Sequence, residues 1–364
     1  MNKIMLLGLN GRAGPLHYAS NISSSLAEIA DTYLFLPSYS DSSQVSKKVN
    51  LIRINAPPSI LKTFFLTFNI FQHLKAVREI NKTNSQVLNI LDIHPWYVMY
   101  WPFLRAQKKI VTINDPEPHS GEAGLFVTFL IKRITRFLLK RADKIVVLGK
   151  KQEEVIRRLG YKQEVIVSRI GHYDFFTAKT NKKLGTETKT LLFFGRIKEY
   201  KGIDYLLDAL IALKNKQMRF KLIIAGEGDL SPYTAKISSL GADYVETYTG
   251  YIPDDKVAEC FQRASFVVMP YTDATQTGVA QIACSFKKPV IATNVGSLPE
   301  VVLDKKTGII VEPKNSEQLA AAIKKLLEYP ETAKELGNAG YKFIQEEYDW
   351  KKIARKLYES IFLQ

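Results

Sequence analysis

The chain has 364 residues, with 51 Lys and Arg against 36 Asp and Glu, a formal charge of +15. Hydrophobic residues make up 46% and charged residues 24%, a balance that excludes a largely disordered chain, a collagen-like repeat and a disulfide scaffold. The length exceeds what one core usually serves and predicts two domains of about 150–200 residues each. Two cysteines, Cys260 and Cys284, are too few for a stapled secreted fold and point to a reducing cytoplasm. Met1–Gly8 turns polar too soon for a secretory signal, and no apolar run reaches the ~18 residues that span a bilayer. A soluble protein, or one resting on a membrane surface, is expected. Residues 1–180 carry 25 Lys/Arg and 13 Asp/Glu, whereas residues 181–364 carry 26 and 23, so the first half would meet any anionic surface.

In chain order, Lys3–Leu9 reads as a buried strand, followed by a loop with Gly11 and Gly14 and a helix through Ser20–Ile29. Tyr33–Leu36, Val87–Ile90, Ile110–Ile113 and Lys144–Leu148 are further strands separated by helix-like segments, the alternation of a parallel sheet covered on both faces. Thr177–Thr190 is polar, lacks apolar periodicity and reads as a linker. The pattern restarts with the strand Thr190–Phe194 and a helix from about Gly202. It continues through Lys221–Ala225, Ala242–Thr247, Phe266–Met269, Pro289–Ala292 and Gly308–Val311. Ser316–Gln364 reads as helix with breaks near Pro330 and Gly340. Two doubly wound halves predict a ligand cleft between them, at the carboxyl ends of the strands.

Phe193-Phe194-Gly195-Arg196-Ile197-Lys198-Glu199-Tyr200-Lys201-Gly202 is the most informative segment. A strand ends at a glycine, and Arg196 and Lys201 follow before the next helix. Arg offers a planar fork of donors to phosphate oxygens and Lys a compact charge, with helix N–H groups directed at the same place. Two solvated surface cations are the bland alternative. Pro270–Ala280 is a second helix entrance rich in hydroxyls and glycine, where N-capping by Thr275 or Thr277 competes with anion binding. Two such entrances in one domain point to a diphosphate.

Over roughly residues 190–315 the chain resembles a family 4 glycosyltransferase of the GT-B fold. The resemblance rests on an ordered set of segments: Phe194-Gly195-Arg196 with Lys201-Gly202, Ile224-Ala225-Gly226-Glu227-Gly228, Thr249-Gly250-Tyr251-Ile252-Pro253, Thr277-Gly278-Val279, and Lys288–Val302. It implies an α/β fold of two Rossmann-like doubly wound domains facing across a cleft. The acceptor-side domain would span residues 1–175 and the donor domain 186–347, with a last helix of about 348–364 packing back on the first. The implied reaction is retaining, metal-independent transfer from a nucleoside-diphosphate sugar to a glycan or lipid-linked acceptor, in surface polysaccharide or glycoconjugate assembly. In this reading Arg196 and Lys201 neutralise the diphosphate, next to Gly195. Backbone groups at Thr277, Gly278 and Val279 contact it, and Tyr251 and Ile252 flank the base with Glu227 nearby. The family's paired glutamates are missing; Asp273 and Gln281 are the polar residues near their place. No cofactor and no metal are expected.

In the first half, Asn114–Glu122 forms a loop at the end of a strand. The resemblance suggests His119 as a hydrogen-bonding or proton-handling group near the transferred sugar, with Asp115 and Glu122 as weaker candidates. Gly8–Gly14 departs from the full Gly-x-Gly-x-x-Gly, and no acidic residue closes the next strand, which argues against a dehydrogenase. In the transferase reading Gly14 belongs to a loop reaching toward the diphosphate. A sugar-nucleotide epimerase of the same fold is the enzyme rival. A membrane-surface binding protein without catalysis is the other, since Phe129–Arg141 mixes cations with apolar residues at near-helical spacing and Phe64–Phe71 is aromatic-rich. Core packing is the alternative for both segments. No zinc spacing or nucleic-acid motif occurs. The expected partners are therefore a nucleotide sugar, an acceptor and an anionic membrane, at the cytoplasmic face.

Overall fold

The structure, a computed structural model, describes residues 1–56, 65–117, 125–180, 184–273 and 277–363. Thirteen strands form two wholly parallel sheets among these residues. The first holds β1 (Lys3–Leu7), β2 (Asp31–Pro37), β3 (Asn50–Ile54), β4 (Val87–Ile90), β5 (Lys108–Ile113), β6 (Lys144–Val147) and β7 (Glu164–Val167), in the order β3-β2-β1-β4-β5-β6-β7. The second holds β8 (Thr190–Phe194), β9 (Lys221–Gly226), β10 (Val245–Thr249), β11 (Phe266–Met269), β12 (Val290–Thr293) and β13 (Gly308–Val311), in the order β10-β9-β8-β11-β12-β13.

Central strands of such sheets are covered on both faces and read as unbroken apolar runs. Ile4–Leu7, Leu191–Phe193 and Phe266–Met269 are accordingly buried at every position. The outer strands β3 and β7 are half exposed and alternate with polar residues, so they carry no such run and escape a reading by hydropathy. In both sheets the strand order reverses beside one strand, between β1 and β4 and between β8 and β11. A crevice opens at the carboxyl ends of strands at such a switch point.

The chain divides into two compact units, Met1–Gly171 with Trp350–Gln364, and His172–Asp349. Residues 172–179, which the sequence reading leaves partly with the first domain and partly with the linker, pack in the second unit. Tyr173 and Phe176 are buried there, and the Tyr173 N–H donates to Ser285 Oγ at 3.1 Å. Aromatic anchoring thus outweighs the polar composition that follows. The helix Trp350–Phe362 lies on the helix Ala13–Leu26 of the first unit, with the Trp350 and Tyr18 rings 5.7 Å apart. Asn2 Nδ2 donates to Tyr358 Oη at 2.9 Å, and Lys108 and Lys144 donate to the carbonyls of Ile361 and Ser360 at 2.7 and 2.8 Å. Ammonium groups on the last carbonyls of a helix satisfy acceptors that have no partner in the helix and oppose its negative end.

Three expectations need correction. The first helix begins at Ala13 rather than Ser20, because Pro15 sits comfortably in a first helical turn. The strand expected at Ala242–Thr247 is displaced to Val245–Thr249. The helix Pro330–Glu347 continues through Gly340 and ends at Tyr348. The glycines of that helix serve close packing: a Cβ on Gly337 would stand 2.0 Å from the Lys287 carbonyl oxygen, and one on Gly340 3.1 Å from Cys284 Sγ.

Candidate functional site

All strands of the second sheet are parallel, so the segments following β8, β9, β10 and β11 leave from one edge. That edge receives Gly195, Arg196 and Lys201 after β8, Glu227 after β9, Tyr251 and Ile252 after β10, and Tyr271 and Asp273 after β11. The turn after β8 is built on close backbone approach. Gly202 has φ +67°, and a Cβ there would stand 1.9 Å from the Pro270 carbonyl oxygen. A Cβ on Gly226 would stand 1.7 Å from the Gly195 carbonyl oxygen. The Thr272 N–H donates to the Tyr200 carbonyl at 2.8 Å, tying the β8 and β11 turns together at the switch point.

Lys201 lies within this knot, only 9% exposed, on the last residue of a short 3-10 turn, Glu199–Lys201. Its ammonium stands 3.7 Å from the centre of the Tyr271 ring and 5.0 Å from that of Tyr200. Aromatic faces attract a cation electrostatically, so the ammonium is held in place at this turn. Tyr271 is fully buried, and burial pushes its phenol pKa up; the Thr277 hydroxyl and the Arg196 charge act in the opposite direction. Tyr271 is the residue the sequence analysis passes over, because an aromatic after an apolar strand reads as core. Its position directly after the strand-ending Pro270, opposite the Lys201 turn, is the available signal.

The remaining expected residues are spread along the edge. Arg196, Glu227, Asp273 and Tyr251 are exposed and Ile252 is half-buried. Thr277 and Gly278 are half-buried, and the Val279 N–H donates to Thr277 Oγ1 at 3.3 Å. The N-cap of the short helix Val279–Ser285 is Gly278, which makes no side-chain cap, and the Thr277 contact lies one residue ahead of it. Gln281, the other polar residue near the missing glutamates, is wholly buried inside that helix. Gly14 is exposed in the first turn of the helix Ala13–Leu26, with nothing within 4 Å of an added Cβ. His119 and Glu122, and Thr275 of the second loop, lie outside the described residues; Asp115 is half-buried after β5.

The first sheet has a corresponding switch point, and sequence reasoning missed its residues. Asp92 follows β4 and accepts from the Asn10 N–H at 2.5 Å, joining the turns after β4 and β1. Burial raises the Asp92 carboxyl to about 6 against the opposing Asn10 hydrogen bond. His94 Nδ1 accepts from the Trp96 N–H at 3.2 Å, capping the helix Pro95–Tyr100. Burial, and then the neighbouring His73, lower His94 to about 4, which keeps the ring neutral and able to accept. Both residues directly follow the predicted strand Val87–Ile90, which is the one signal the sequence offers for them.

Among the described residues no group of three or more His, Cys, Asp or Glu side chains is placed to hold a metal ion. Cys260 and Cys284 are free thiols in the core of the second unit, pushed up to about 11 and about 12 by burial. No helix among the described residues is long and apolar enough to cross a membrane.

The turn chemistry at the second switch point coincides with a sequence match. Residues 174–343 match the family described as Glycosyl transferases group 1. An uncharacterised glycosyltransferase of Methanocaldococcus jannaschii is 30% identical over 171 residues, 47% of this chain and 44% of that one. The GDP-mannose-dependent alpha-(1-6)-phosphatidylinositol monomannoside mannosyltransferase of Mycobacterium tuberculosis is 30% identical over 183 residues, 47% of this chain and 46% of that one. The chain spans about half the length of these curated relatives. The sucrose-phosphate synthase of Thermosynechococcus elongatus matches over 100% of both chains with a TM-score of 0.79 at 20% identity, a likeness of fold. The two-sheet architecture is the GT-B fold. The group 1 match contains every expected donor-side residue except Gly14.

Proposed function

We propose that the chain is a retaining, metal-independent glycosyltransferase of the family 4 type. It moves a hexosyl or related sugar from a nucleoside diphosphate to a glycan or lipid-linked acceptor, at the cytoplasmic face of a membrane, in polysaccharide or glycoconjugate assembly. The second unit holds the donor and the first the acceptor. The observation that carries this reading is the buried Lys201 ammonium, fixed on the Tyr271 ring at the switch point of the second sheet.

When the bond from the sugar to the diphosphate breaks, the departing oxygen gains negative charge. A cation already in place meets that charge without reorganising, and so favours the transition state over the bound donor. Arg196, exposed on the same turn, can close its guanidinium fork on the phosphate oxygens once the donor arrives. Tyr251 and Ile252 offer an aromatic and an apolar face to the base, with Glu227 beside them. His119 is the proposed hydrogen-bonding or proton-handling group near the sugar. The group 1 match, and relatives whose names specify sugar transfer from a nucleotide donor, support the reading.

The test is unfolding of the protein with UDP, GDP, ADP and NAD. At about 100 times the dissociation constant, a ligand of the folded state adds about 2.7 kcal/mol. Stabilisation by one nucleoside diphosphate, reduced in Lys201→Ala, is the expected result. Stabilisation by NAD alone would return the dehydrogenase reading, and none at all would remove the donor site.

A further inference from the structure

The first unit exposes a ridge of large apolar side chains that its core does not use. Phe65, Phe68, Phe71 and Phe103 are 66%, 69%, 87% and 65% exposed, and Ile70 and Leu74 are comparably open. A monomer in water rarely leaves so many large apolar groups together at its surface. Two hydrogen bonds tie the ridge to the unit. Thr67 Oγ1 accepts from Trp96 Nε1 at 2.9 Å, and the Leu66 carbonyl is 3.0 Å from His73 Nε2. The structure thus fixes these phenylalanines outward.

Behind the ridge runs a groove of about 780 Å³ between the helix Ile70–Lys82 and the segment Met99–Arg105. Leu74, Val77, Met99 and Phe103 line its sides. The buried His73–Tyr100 hydrogen bond, 2.8 Å from Nδ1 to Oη, closes the floor. Asn81 staples the two walls, donating to the Phe103 carbonyl at 2.9 Å and accepting from the Arg105 N–H at 2.8 Å. The charge is polarised along the groove. Ile70, Phe71 and Leu74 stand at the start of the helix, while Arg78, Lys82 and Arg105 ring the far end, where Glu79 pairs with Lys82.

We propose that this face docks on an anionic phospholipid bilayer and that the groove takes one acyl chain of an anionic phospholipid, its phosphate against Arg78 and Arg105. Charge complementarity selects this occupant: an apolar channel ending in guanidinium groups matches a chain that ends in a phosphodiester. From Ile70 to Arg78 the helix rises about 12 Å, room for a run of methylenes. Arg forks suit phosphate oxygens, and cations beside an apolar wedge are the pattern of a surface-bound element. The sequence points to Phe129–Arg141 as the membrane-surface helix, with Phe64–Phe71 adding insertion. There Ile134, Leu138 and Leu139 are buried in the core and, among the described residues, only Phe129 and Leu130 are large apolar groups left exposed, 54% and 45%, so the fuller and more open Phe65–Leu74 ridge is the docking face. The inference deepens the membrane part of the proposed function and rests on that part alone, not on the chemistry of transfer.

The test uses the full chain with monomeric lysophosphatidylglycerols of increasing chain length, each below its micelle concentration, followed by calorimetry. Each methylene buried should raise affinity about fourfold until the groove is full, after which affinity should level off. Val77→Trp, which fills the groove, should lower that affinity more than tenfold. The same variant should still sediment with vesicles of phosphatidylcholine and phosphatidylglycerol, which Phe68→Ser with Phe71→Ser should abolish. Affinity that climbs without a limit, or is equal in Val77→Trp, would overturn the groove. Vesicle binding unaffected by the serine pair, but lost on reversing Arg133 and Arg136, would overturn the face while leaving membrane attachment intact. A dimer that the serine pair dissolves, with no lipid bound, would overturn it in favour of a second copy. Nucleotide stabilisation of the same variants reads the donor site separately.

Discussion

At the end of β8 the chain turns through glycines packed against carbonyl oxygens, and a lysine is trapped in the turn; at the end of β1 it is held by an aspartate from the neighbouring turn, with the half-buried neutral His94 following in that turn. The two places are equivalent in strand order and are built by different means. Seven of the eight positive-φ glycines among the described residues belong to the second unit. Backbone close to backbone can be made by glycine alone, so that edge leaves a readable trace in the sequence. Side chains that buttress one another can be drawn from many residue types, and the first edge leaves almost none.

Five substitutions test this contrast. Lys201→Ala should lower kcat/KM by about 10²–10³, because it removes a cation preorganised for the departing diphosphate; steady-state transfer kinetics decide. If the rate is untouched, the knot at β8 is scaffolding only. Gly202→Ala should cost roughly 3 kcal/mol of folding stability, from a left-handed backbone and a clash with Pro270, read by denaturant unfolding.

In the first unit the expected signature is pH dependence. Asp92 has a folded value of about 6 against the ordinary 3.8, so the native state keeps a proton that the unfolded chain releases. Its contribution is full at low pH and is lost as pH rises from about 4 to 6, worth about 3 kcal/mol. His94 has a folded value of about 4 against 6.5, so its contribution is full above 6.5 and is lost as pH falls toward 4, by a similar amount. The two slopes oppose each other. His94→Gln should therefore gain stability relative to the parent as pH falls from 6.5 to 4, and Asp92→Asn as pH rises from 4 to 6. Unfolding curves across that range should separate the two variants by slopes of opposite sign. The smallest effect is expected of Gly14→Ala, in an exposed helical turn with open space around it. Stability should rise by about 0.5–1 kcal/mol, and a loss of transfer despite that gain would tie the Gly14 backbone to the donor.

The legibility of the fold follows the same physics. Val87–Ile90, Thr190–Phe194 and Phe266–Met269 can be delimited from sequence alone, because inner parallel strands are covered on both faces and mostly apolar, and Gly308–Val311, though at an edge, keeps an apolar run. The half-exposed edge strands β3 and β7 cannot. Gly340 suggests a break where the helix in fact uses it for contact with Cys284, since composition does not distinguish a stop from a close approach. At the candidate site, the Arg196–Lys201 turn stands out by its glycines and charges. Tyr271, Asp92 and His94 do not, because their significance lies in burial and in partners far away in sequence.

The helix Trp350–Phe362 completes the first unit although all of residues 172–349 precede it in the chain. At roughly 5–20 residues per second, a ribosome needs on the order of ten to forty seconds to make that intervening stretch. Throughout this interval the contacts that Tyr18, Lys108 and Lys144 make with this helix cannot form. The second unit, continuous in sequence, has all of its parts before the first does. Birth order and folding order are thus inverted, and a premature stop near the 3′ end of the message would leave the earliest-made half unfinished.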